Sequence, residues 1–244
     1  KFLFASTDTG RIIRNTLGYN IVWIILGLVL SVGVAIILNE ITRKRVAKVY
    51  QTLMFFPYFL SWVVASYFVL SFLDPTRGLI TSWQAKNGME VINWYHEPKY
   101  WPVILTICNV WKNTGYSAIL YLAAITGIDT TQYEAAAIDG ATKWQQIKRI
   151  TLPLLKPTVI TMLVLQVGRI FYSDFGLFYQ IPMNSGTLYG VTRTIDVYVY
   201  NALMKSSDYG MSSAASVYQS IVGFVMIIAV NALIRKTSRE NALF

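Results

Sequence analysis

Apolar residues of this chain are gathered into five runs that are separated by polar stretches. The runs cover residues 16–38, 52–73, 103–125, 158–177 and 213–234. Each is about 20 residues long, which is the length that an α-helix needs to cross the hydrocarbon core of a bilayer. The pattern therefore predicts an all-α fold, a polytopic transmembrane helical bundle with about five spans. The longer polar stretches, 74–101 and 178–211, are predicted to be loops.

The composition favours a membrane protein over a soluble domain. Of the 244 residues, 55% are hydrophobic and 14% are charged, whereas about 25% are charged in a soluble domain. The net charge of +9 would suit a nucleic-acid partner, but the cations cluster at the ends of the apolar runs. That distribution indicates orientation in a lipid bilayer and no nucleic-acid partner.

Counting the cations on each side of the predicted membrane gives the orientation. Eleven lie on one side and eight are spread over longer segments on the other. The denser set is Arg43, Lys44, Arg45, Lys48, Lys143, Lys148, Arg149, Lys156, Arg235, Lys236 and Arg239. Short loops rich in Lys and Arg stay in the cytoplasm, so we expect residues 128–157 and the C-terminus to be cytoplasmic.

Few residues could carry catalysis or hold a metal. Cys108, the one cysteine, lies in an apolar run, and His96, the one histidine, lies in a polar stretch. The sequence also contains no Gly-x4-Gly-Lys-Ser/Thr phosphate loop, so we do not expect ATP to bind here by that device. We predict a chain with no enzymatic activity, no cofactor and no metal site.

The polar segment 128–157 carries helix-start and helix-stop signals. Thr131 lies three residues before Glu134, as in a capping box, and three alanines follow. Gly140 is expected to end this short helix at a left-handed position. A second amphipathic piece places Trp144 and Ile147 on one face. Two prolines come next: Pro153 is expected to stop that piece and Pro157 to begin a new helix.

The spacing of this segment resembles the EAA loop of permease subunits in binding-protein-dependent ABC importers. The matching positions are Glu134, Ala135, Ala136, Gly140, Ile150, Leu152 and Pro153. The neighbouring residues 139–141 and 152–157 are similar to the sugar-importing, maltose-type branch. Residues 176–180 and 184–186 resemble its members that serve polysaccharide-derived oligosaccharides.

The resemblance implies that residues 1–244 form the transmembrane domain of such an importer and that residues 128–157 form its cytoplasmic coupling loop. Ile138, Trp144 and Ile147 would then be apolar anchors in the groove of an ATPase. The simpler alternative for Glu134 is that it only caps a helix.

The family resemblance also implies partners and a place in the cell. Such importers combine two homologous permeases, two copies of an ABC ATPase that binds ATP–Mg, and an extracytoplasmic substrate-binding protein. They lie in the bacterial plasma (inner) membrane. Maltose-type permeases usually have a further span before this point, so we expect a first span to precede Lys1.

Polar residues within the predicted spans indicate a substrate pathway. Asn109, Lys112, Asn113 and Tyr116 are spaced to form one stripe on the third predicted helix. The fourth predicted helix would carry a similar stripe, and the second would add aromatic rings. These additional residues are Gln166, Arg169, Ser173, Tyr58 and Trp62. Amides and ring faces suit a hydroxyl-rich ligand, so we expect an oligosaccharide substrate.

The charges in the predicted spans suggest that this sugar is acidic. Lys112 and Arg169 are set within apolar runs, where a cation costs about 2.5–3.5 kcal/mol on insertion scales and usually faces a cavity. Only Asp174 is available nearby to balance them. Alternatively, Asp174 pairs with Lys112 or Arg169, and the other polar residues only join helices.

The tyrosine-rich stretch 178–211 is expected to lie outside the cell. It could contact a substrate-binding protein, or it could form an aromatic belt at the membrane surface. The sequence thus predicts a transport permease whose energy comes from a separate ATPase. An ion- or proton-coupled secondary transporter is the alternative, and Asp174 would be its candidate coupling acid. A membrane-embedded enzyme is disfavoured because catalytic groups are lacking.

Overall fold

The structure is a computed structural model that describes residues 8–206 and 209–237. These residues are mostly helical, and none of them forms a strand. The helices are α1 (Thr9–Glu40), α2 (Lys44–Phe59), α3 (Trp62–Leu73), α4 (Leu79–Lys86), α5 (Trp101–Thr126), α6 (Thr130–Ile138), α7 (Lys143–Gln146), α8 (Leu152–Gly168), α9 (Phe175–Gln180), α10 (Tyr189–Thr192), α11 (Ile195–Ser206) and α12 (Tyr209–Thr237). A π-helical turn, Ile147–Thr151, joins α7 to α8.

Three stretches of helix are long and apolar enough to cross a membrane: Thr9–Glu40, Lys143–Gly168 and Ser212–Lys236. A fourth span results if the broken pair α2 and α3 is counted as one. Helix α5 has the length of a span with 26 residues, but the polar stripe around Lys112 lowers its hydropathy. The all-α membrane fold is thereby confirmed, and three or four stretches of the described residues are apolar enough to be recognised as spans by length and composition.

The second predicted run is not one continuous helix. Helix α2 ends at Phe59, and α3 begins at Trp62. Between them, the hydroxyl of Ser61 accepts a hydrogen bond from the backbone N–H of Val64 at 3.2 Å. This N-cap satisfies an amide that would otherwise be free, so a new helix starts in the middle of the apolar run.

The boundaries predicted for the fourth run are wrong. Pro153 does not stop a helix, because the helix continues through it as one stretch, Lys143–Gly168, by way of the π-helical turn. Pro157 lies inside α8 rather than at its start. The helix also ends early, at Gly168, so Arg169 and Ser173 lie beyond it instead of on its polar face. The predicted stripe on this helix therefore does not form.

The stretches predicted as loops contain helices as well. Residues 74–101 include α4, and residues 178–211 include α10 and α11. Helix periodicity is hard to recognise in segments this short, because two or three turns show little of an apolar face. The third and fifth predicted runs are confirmed by α5 and α12.

The chain is divided into two compact units. Among the described residues, the first consists of 8–23, 60–109, 168–206 and 209–225. Its core includes Trp101, Leu105, Leu177, Phe178 and Ile181. Large aromatic side chains fill this core, and the rings of Trp23 and Phe178 stack with their centroids 5.3 Å apart.

The second unit consists of Ile24–Phe59, Val110–Val167 and the described residues from 226 to 237. Its core includes Ala35, Leu38, Tyr121, Ile125 and Leu155. Helices α2 and α5 approach closely here, because a Cβ added at Gly115 would overlap the backbone carbonyl oxygen of Met54. Small residues permit such contact between helices in a membrane.

Candidate functional site

The segment that resembles the EAA loop begins with an aspartate cap. The Asp129 carboxylate accepts a hydrogen bond from the backbone N–H of Thr131 at 3.0 Å, and α6 starts beside it. This bond, together with a side-chain bond from Thr131, lowers the pKa of Asp129 from its usual value. The capping box predicted for Thr131 and Glu134 is therefore wrong, because Asp129 already occupies the cap position.

Helix α6 ends at a glycine in the left-handed conformation, as predicted. Gly140 has a φ of +77°. Its N–H donates to the carbonyl of Ala137 at 3.1 Å, and the next N–H, of Ala141, donates to Ala136 at 2.9 Å. These two bonds form a Schellman motif, which satisfies the last carbonyls of the helix and reverses the chain direction.

A capping box does occur, eleven residues after the predicted one. Thr142 and Gln145 exchange side-chain to backbone hydrogen bonds at 2.7 and 3.3 Å, and they start α7. The returning helix is fastened to α6 by Tyr133, whose hydroxyl lies 2.9 Å from that of Thr151. The Gln146 amide also donates to the Tyr133 carbonyl at 3.4 Å. Residues 128–157 therefore form a helical hairpin fixed by their own hydrogen bonds.

Two large apolar side chains of this hairpin are turned to solvent. Ile138 is 87% exposed and Trp144 is 70% exposed. The other predicted coupling residues divide by exposure: Glu134, Ala135, Gly140, Leu152 and Pro153 are exposed, and Ala136, Ile147 and Ile150 are half-buried. Within the described residues Glu134 forms no ion pair. Large exposed apolar side chains on a polar segment are typical of an interaction surface.

In the second unit, Lys112 reaches the broken end of α2. Its side chain is only 8% exposed, and its ammonium donates hydrogen bonds to the carbonyls of Tyr58 at 2.8 Å and Pro57 at 3.3 Å. The last carbonyls of a helix lack partners and carry partial negative charge. Lys112 therefore stabilises a helix end, a role that sequence reasoning did not assign to it.

Aromatic rings cluster beside this lysine. The rings of Tyr58 and Tyr116 lie nearly parallel with centroids 4.4 Å apart, and Phe55 stacks on Tyr58 at 5.9 Å. Both tyrosines remain more than a third exposed. They offer flat apolar faces with polar hydroxyls, which suits contact with the faces of sugar rings.

Three amide side chains predicted to face the substrate are half-buried: Asn109, Asn113 and Gln166. None of them forms a side-chain hydrogen bond within the part of the chain that the structure describes. A half-buried amide without a protein partner can donate and accept hydrogen bonds to ligand hydroxyls.

In the first unit, Asp174 is used differently from either expectation. Its carboxylate accepts a hydrogen bond from the Trp62 indole N–H at 2.7 Å and caps α9 through the N–H of Leu177. Gly176 allows the contact, since a Cβ there would strike the Trp62 ring. The ion pairs found in residues 8–206 and 209–237 do not include Asp174, so the predicted pairing with Arg169 is not observed.

Beyond the end of α8, residues 169–173 form an open segment whose backbone groups are held by side chains. The Asn20 amide donates to the carbonyls of Ile170 and Tyr172, both at 2.8 Å, and Gln219 donates to Phe171 at 2.7 Å. Non-helical backbone at membrane depth needs such partners. Sequence reasoning missed both residues, although polar side chains within apolar runs were a usable signal.

Asp196 completes the support of this segment. Its carboxylate accepts bonds at 2.7 Å from both the N–H and the hydroxyl of Ser173. Asp196 lies in a stretch that the sequence predicted to be a loop, so Asp174 was wrongly taken as the sole acid near the spans. Arg169, next to the open segment, is exposed and forms no ion pair with any described residue.

Comparison with known proteins yields a family and several relatives. Residues 24–239 match the model of the family described as "Binding-protein-dependent transport system inner membrane component". The chain is 30% identical over 239 residues to the polygalacturonan/rhamnogalacturonan transport system permease protein YteP of Bacillus subtilis (strain 168), covering 98% of this chain and 74% of that protein. Protein LplB of the same organism is 28% identical over 241 residues, with coverages of 99% and 75%.

Solved structures give the same result. The chain is similar, with a TM-score of 0.89 and 31% identity, to a chain in a bacterial alginate ABC transporter in complex with an alginate pentasaccharide-bound periplasmic protein. The similarity covers 97% of this chain and 82% of that chain. A second structure, of a bacterial ABC transporter involved in alginate import, has a TM-score of 0.90 and the same identity. This chain therefore belongs to the family of binding-protein-dependent transport system inner membrane components, as a permease subunit of an ABC importer and not as an enzyme.

Proposed function

We propose that this permease imports an acidic oligosaccharide derived from a polysaccharide. The observation that carries the proposal is the availability of Arg169 and of three amides among the residues predicted to line the pathway. Arg169 has no carboxylate partner within the described residues, while Asn109, Asn113 and Gln166 keep their amides available. Guanidinium and amide groups without protein partners can bind the carboxylates and hydroxyls of such a ligand.

The relatives support an acidic sugar. YteP is a permease for polygalacturonan and rhamnogalacturonan, and the similar solved transporter imports the acidic polysaccharide alginate. Membership of the family also favours ATP-driven import over the ion-coupled alternative. The bonds of Asp174 and Asp196 to the protein agree with this, since both acids already serve as structural acceptors.

The hairpin 128–157 is proposed to be the surface that couples transport to ATP hydrolysis. Ile138 and Trp144 are the exposed apolar groups that would enter a groove of the ATPase, and Glu134 would lie at the edge of the contact. Most of the energy of such a contact comes from a few large buried side chains. We propose two ATPase copies, each holding ATP–Mg, and a second homologous permease, with this hairpin and the C-terminus in the cytoplasm.

An uptake assay tests the substrate. The complete transporter, reconstituted in vesicles with its binding protein, is offered trigalacturonate or its methyl ester, which keeps the rings and most hydroxyls but lacks the charges. We expect ATP-dependent uptake of the acid and little uptake of the ester. Arg169→Gln should reduce the preference, whereas Arg77→Gln, in a polar stretch, should not. Equal uptake of both sugars by the native protein would refute the acidic substrate.

Co-purification tests the coupling surface. Trp144→Ala and Ile138→Ala should each lower the amount of ATPase retained by about fivefold, as expected for an anchor worth at least 1 kcal/mol. Met204→Ala is the matched control, because Met204 is also an exposed apolar residue but lies outside the hairpin. Full retention of the ATPase by both hairpin variants would show that the hairpin is not the docking surface.

A further inference from the structure

A groove in the first unit is not used by the proposed transport function. It has a volume of about 620 Å³, within the range of about 300–1,000 Å³ that is usual for small-molecule sites. The start of α1 and the start of α5 form its walls. Its lining includes Arg14, Gly18, Tyr19, Val22, Val103 and Ile107.

The polar groups of this groove, apart from Arg14, are already engaged within the protein. The Asn15 amide donates to the carbonyls of Gly190 and Arg193 at 3.1 and 3.2 Å. The Tyr19 hydroxyl donates to a third carbonyl, of Val191, at 3.0 Å. The Thr106 hydroxyl donates within its own helix. The groove therefore presents an apolar surface that offers a ligand no hydrogen-bonding group except the one at its end.

That end carries a cation. Arg14 is exposed and forms no ion pair with any described residue. Arg11, one turn earlier, differs because it pairs with Asp8 at 3.4 Å. Arg193 pairs with the same carboxylate at 3.1 Å. The acid in this region is thus shared by two other arginines, and the charge of Arg14 is left for an outside anion.

The length of the groove along α1 corresponds to the thickness of one leaflet of a bilayer. Arg14 lies two residues before the first apolar run, so its guanidinium is at the level of the head groups. From Arg14 to Val22 the helix rises by about 12 Å, close to half of the hydrocarbon thickness of about 30 Å. A spanning helix of a partner would need a groove about twice as long, and it would have to bring an acid to Arg14.

We propose that this groove binds an anionic phospholipid. Its phosphate contacts Arg14, and one acyl chain lies along Gly18 and Val22 against α5. The outward side chains of Val103 and Ile107 are 62% and 61% exposed, so the groove opens onto an apolar surface continuous with the hydrocarbon region. A lipid bound in this way would stabilise the packing of the start of α1 against α5.

Native mass spectrometry of the complete transporter tests the proposal. The delipidated complex is titrated with dioleoylphosphatidylglycerol, and dioleoylphosphatidylcholine serves as the zwitterionic comparison. Arg14→Gln should weaken phosphatidylglycerol binding about fivefold, the contribution of one cation near the membrane surface. It should leave phosphatidylcholine binding unchanged. Arg11→Gln, which removes an equal charge outside the groove, should bind both lipids like the native protein.

A second pair of variants tests the acyl-chain position independently of charge. Gly18→Phe fills the groove without a backbone clash, because a Cβ at Gly18 meets no atom within 4 Å. It should reduce the binding of both lipids, while Val29→Phe, on the exposed surface of the same helix, should not. Unchanged phosphatidylglycerol binding in Arg14→Gln or in Gly18→Phe would overturn the proposal. So would a photo-cross-linker at Val103 that captures a polypeptide instead of lipid.

Discussion

Replacing Lys112 by methionine is expected to lower the stability of the protein by about 1 kcal/mol. The substitution keeps an unbranched side chain only one atom shorter but removes the donor that holds the carbonyls of Pro57 and Tyr58. Two opposing terms set the size of the effect. One is the cost of orphaned carbonyls, and the other is the gain from no longer burying a cation.

The magnitudes of these terms decide the sign. Each buried carbonyl left without a partner costs about 1–3 kcal/mol, which gives about 2–6 kcal/mol for the pair. Removing a cation from within a span recovers about 2.5–3.5 kcal/mol. The midpoints differ by about 1 kcal/mol, so the variant is less stable although it is more apolar. The ring of Tyr58 also loses its anchor beside Tyr116, and uptake should fall with it.

The assay is the apparent unfolding temperature of the purified transporter, followed by tryptophan fluorescence. A loss of 1 kcal/mol corresponds to about 2–4 °C for a domain of this size. Lys112→Gln, which can still donate to one carbonyl, should fall between the native protein and Lys112→Met. Arg169→Gln removes a charge that makes no such bonds, so it should leave the temperature unchanged. If Lys112→Met unfolds at or above the native temperature, the assigned role of Lys112 in holding α2 is wrong.

Three further substitutions test backbone geometry and the open segment. Gly140→Val should strongly reduce ATP-driven uptake, since a β-branched residue at a φ of +77° costs about 1–2 kcal/mol. Gly140→Asn is the control, because asparagine tolerates that conformation. Equal uptake by the two variants would contradict the reasoning. Gly115→Ala should lower the unfolding temperature sharply, because its Cβ would overlap a backbone carbonyl. Gly33→Ala meets open space and should leave the temperature unchanged. Similar unfolding temperatures of the two variants would count against close packing of α2 and α5 at Gly115. Asp196→Asn turns a charged acceptor of Ser173 into a neutral one and should cost about 1 kcal/mol, and an unchanged unfolding temperature would argue against that role.

The sequence was sufficient to predict those parts of the fold that depend on local pattern. Helices α1, α5 and α12 are long and apolar enough, or regular enough, to be recognised from residue spacing alone. Gly140 was correctly predicted to end a helix, because the left-handed position after a helix is a local requirement that glycine meets best. The family of the chain was likewise recognisable, since its motif combines fixed residues with fixed spacing.

The breaks in the helices were not predictable, because distant residues stabilise them. The carbonyls freed at the end of α2 are satisfied by Lys112, more than fifty residues later in the chain. Helix α8 stops at Gly168, whose carbonyl oxygen lies so close to Gly223 that a Cβ added at Gly223 would overlap it. The apolar run continues past Gly168 in the sequence, so Arg169 was predicted to lie on a helix face that does not exist. The polar stripe of α5 was easier, because the helix that carries it is unbroken.

The bonds that hold the open segment have a consequence for biosynthesis. Asn20 is made early, but its acceptor at Ile170 lies 150 residues further along the chain. At a synthesis rate of about 5–20 residues per second, the amide waits about 8–30 s for its partner. Throughout that interval the Asn20 amide of α1 lacks the two carbonyl acceptors that it has in the folded protein, and lipid hydrocarbon offers none. The membrane insertion machinery, or water beside it, must therefore supply hydrogen-bond partners to Asn20 until the end of α8 has been synthesised.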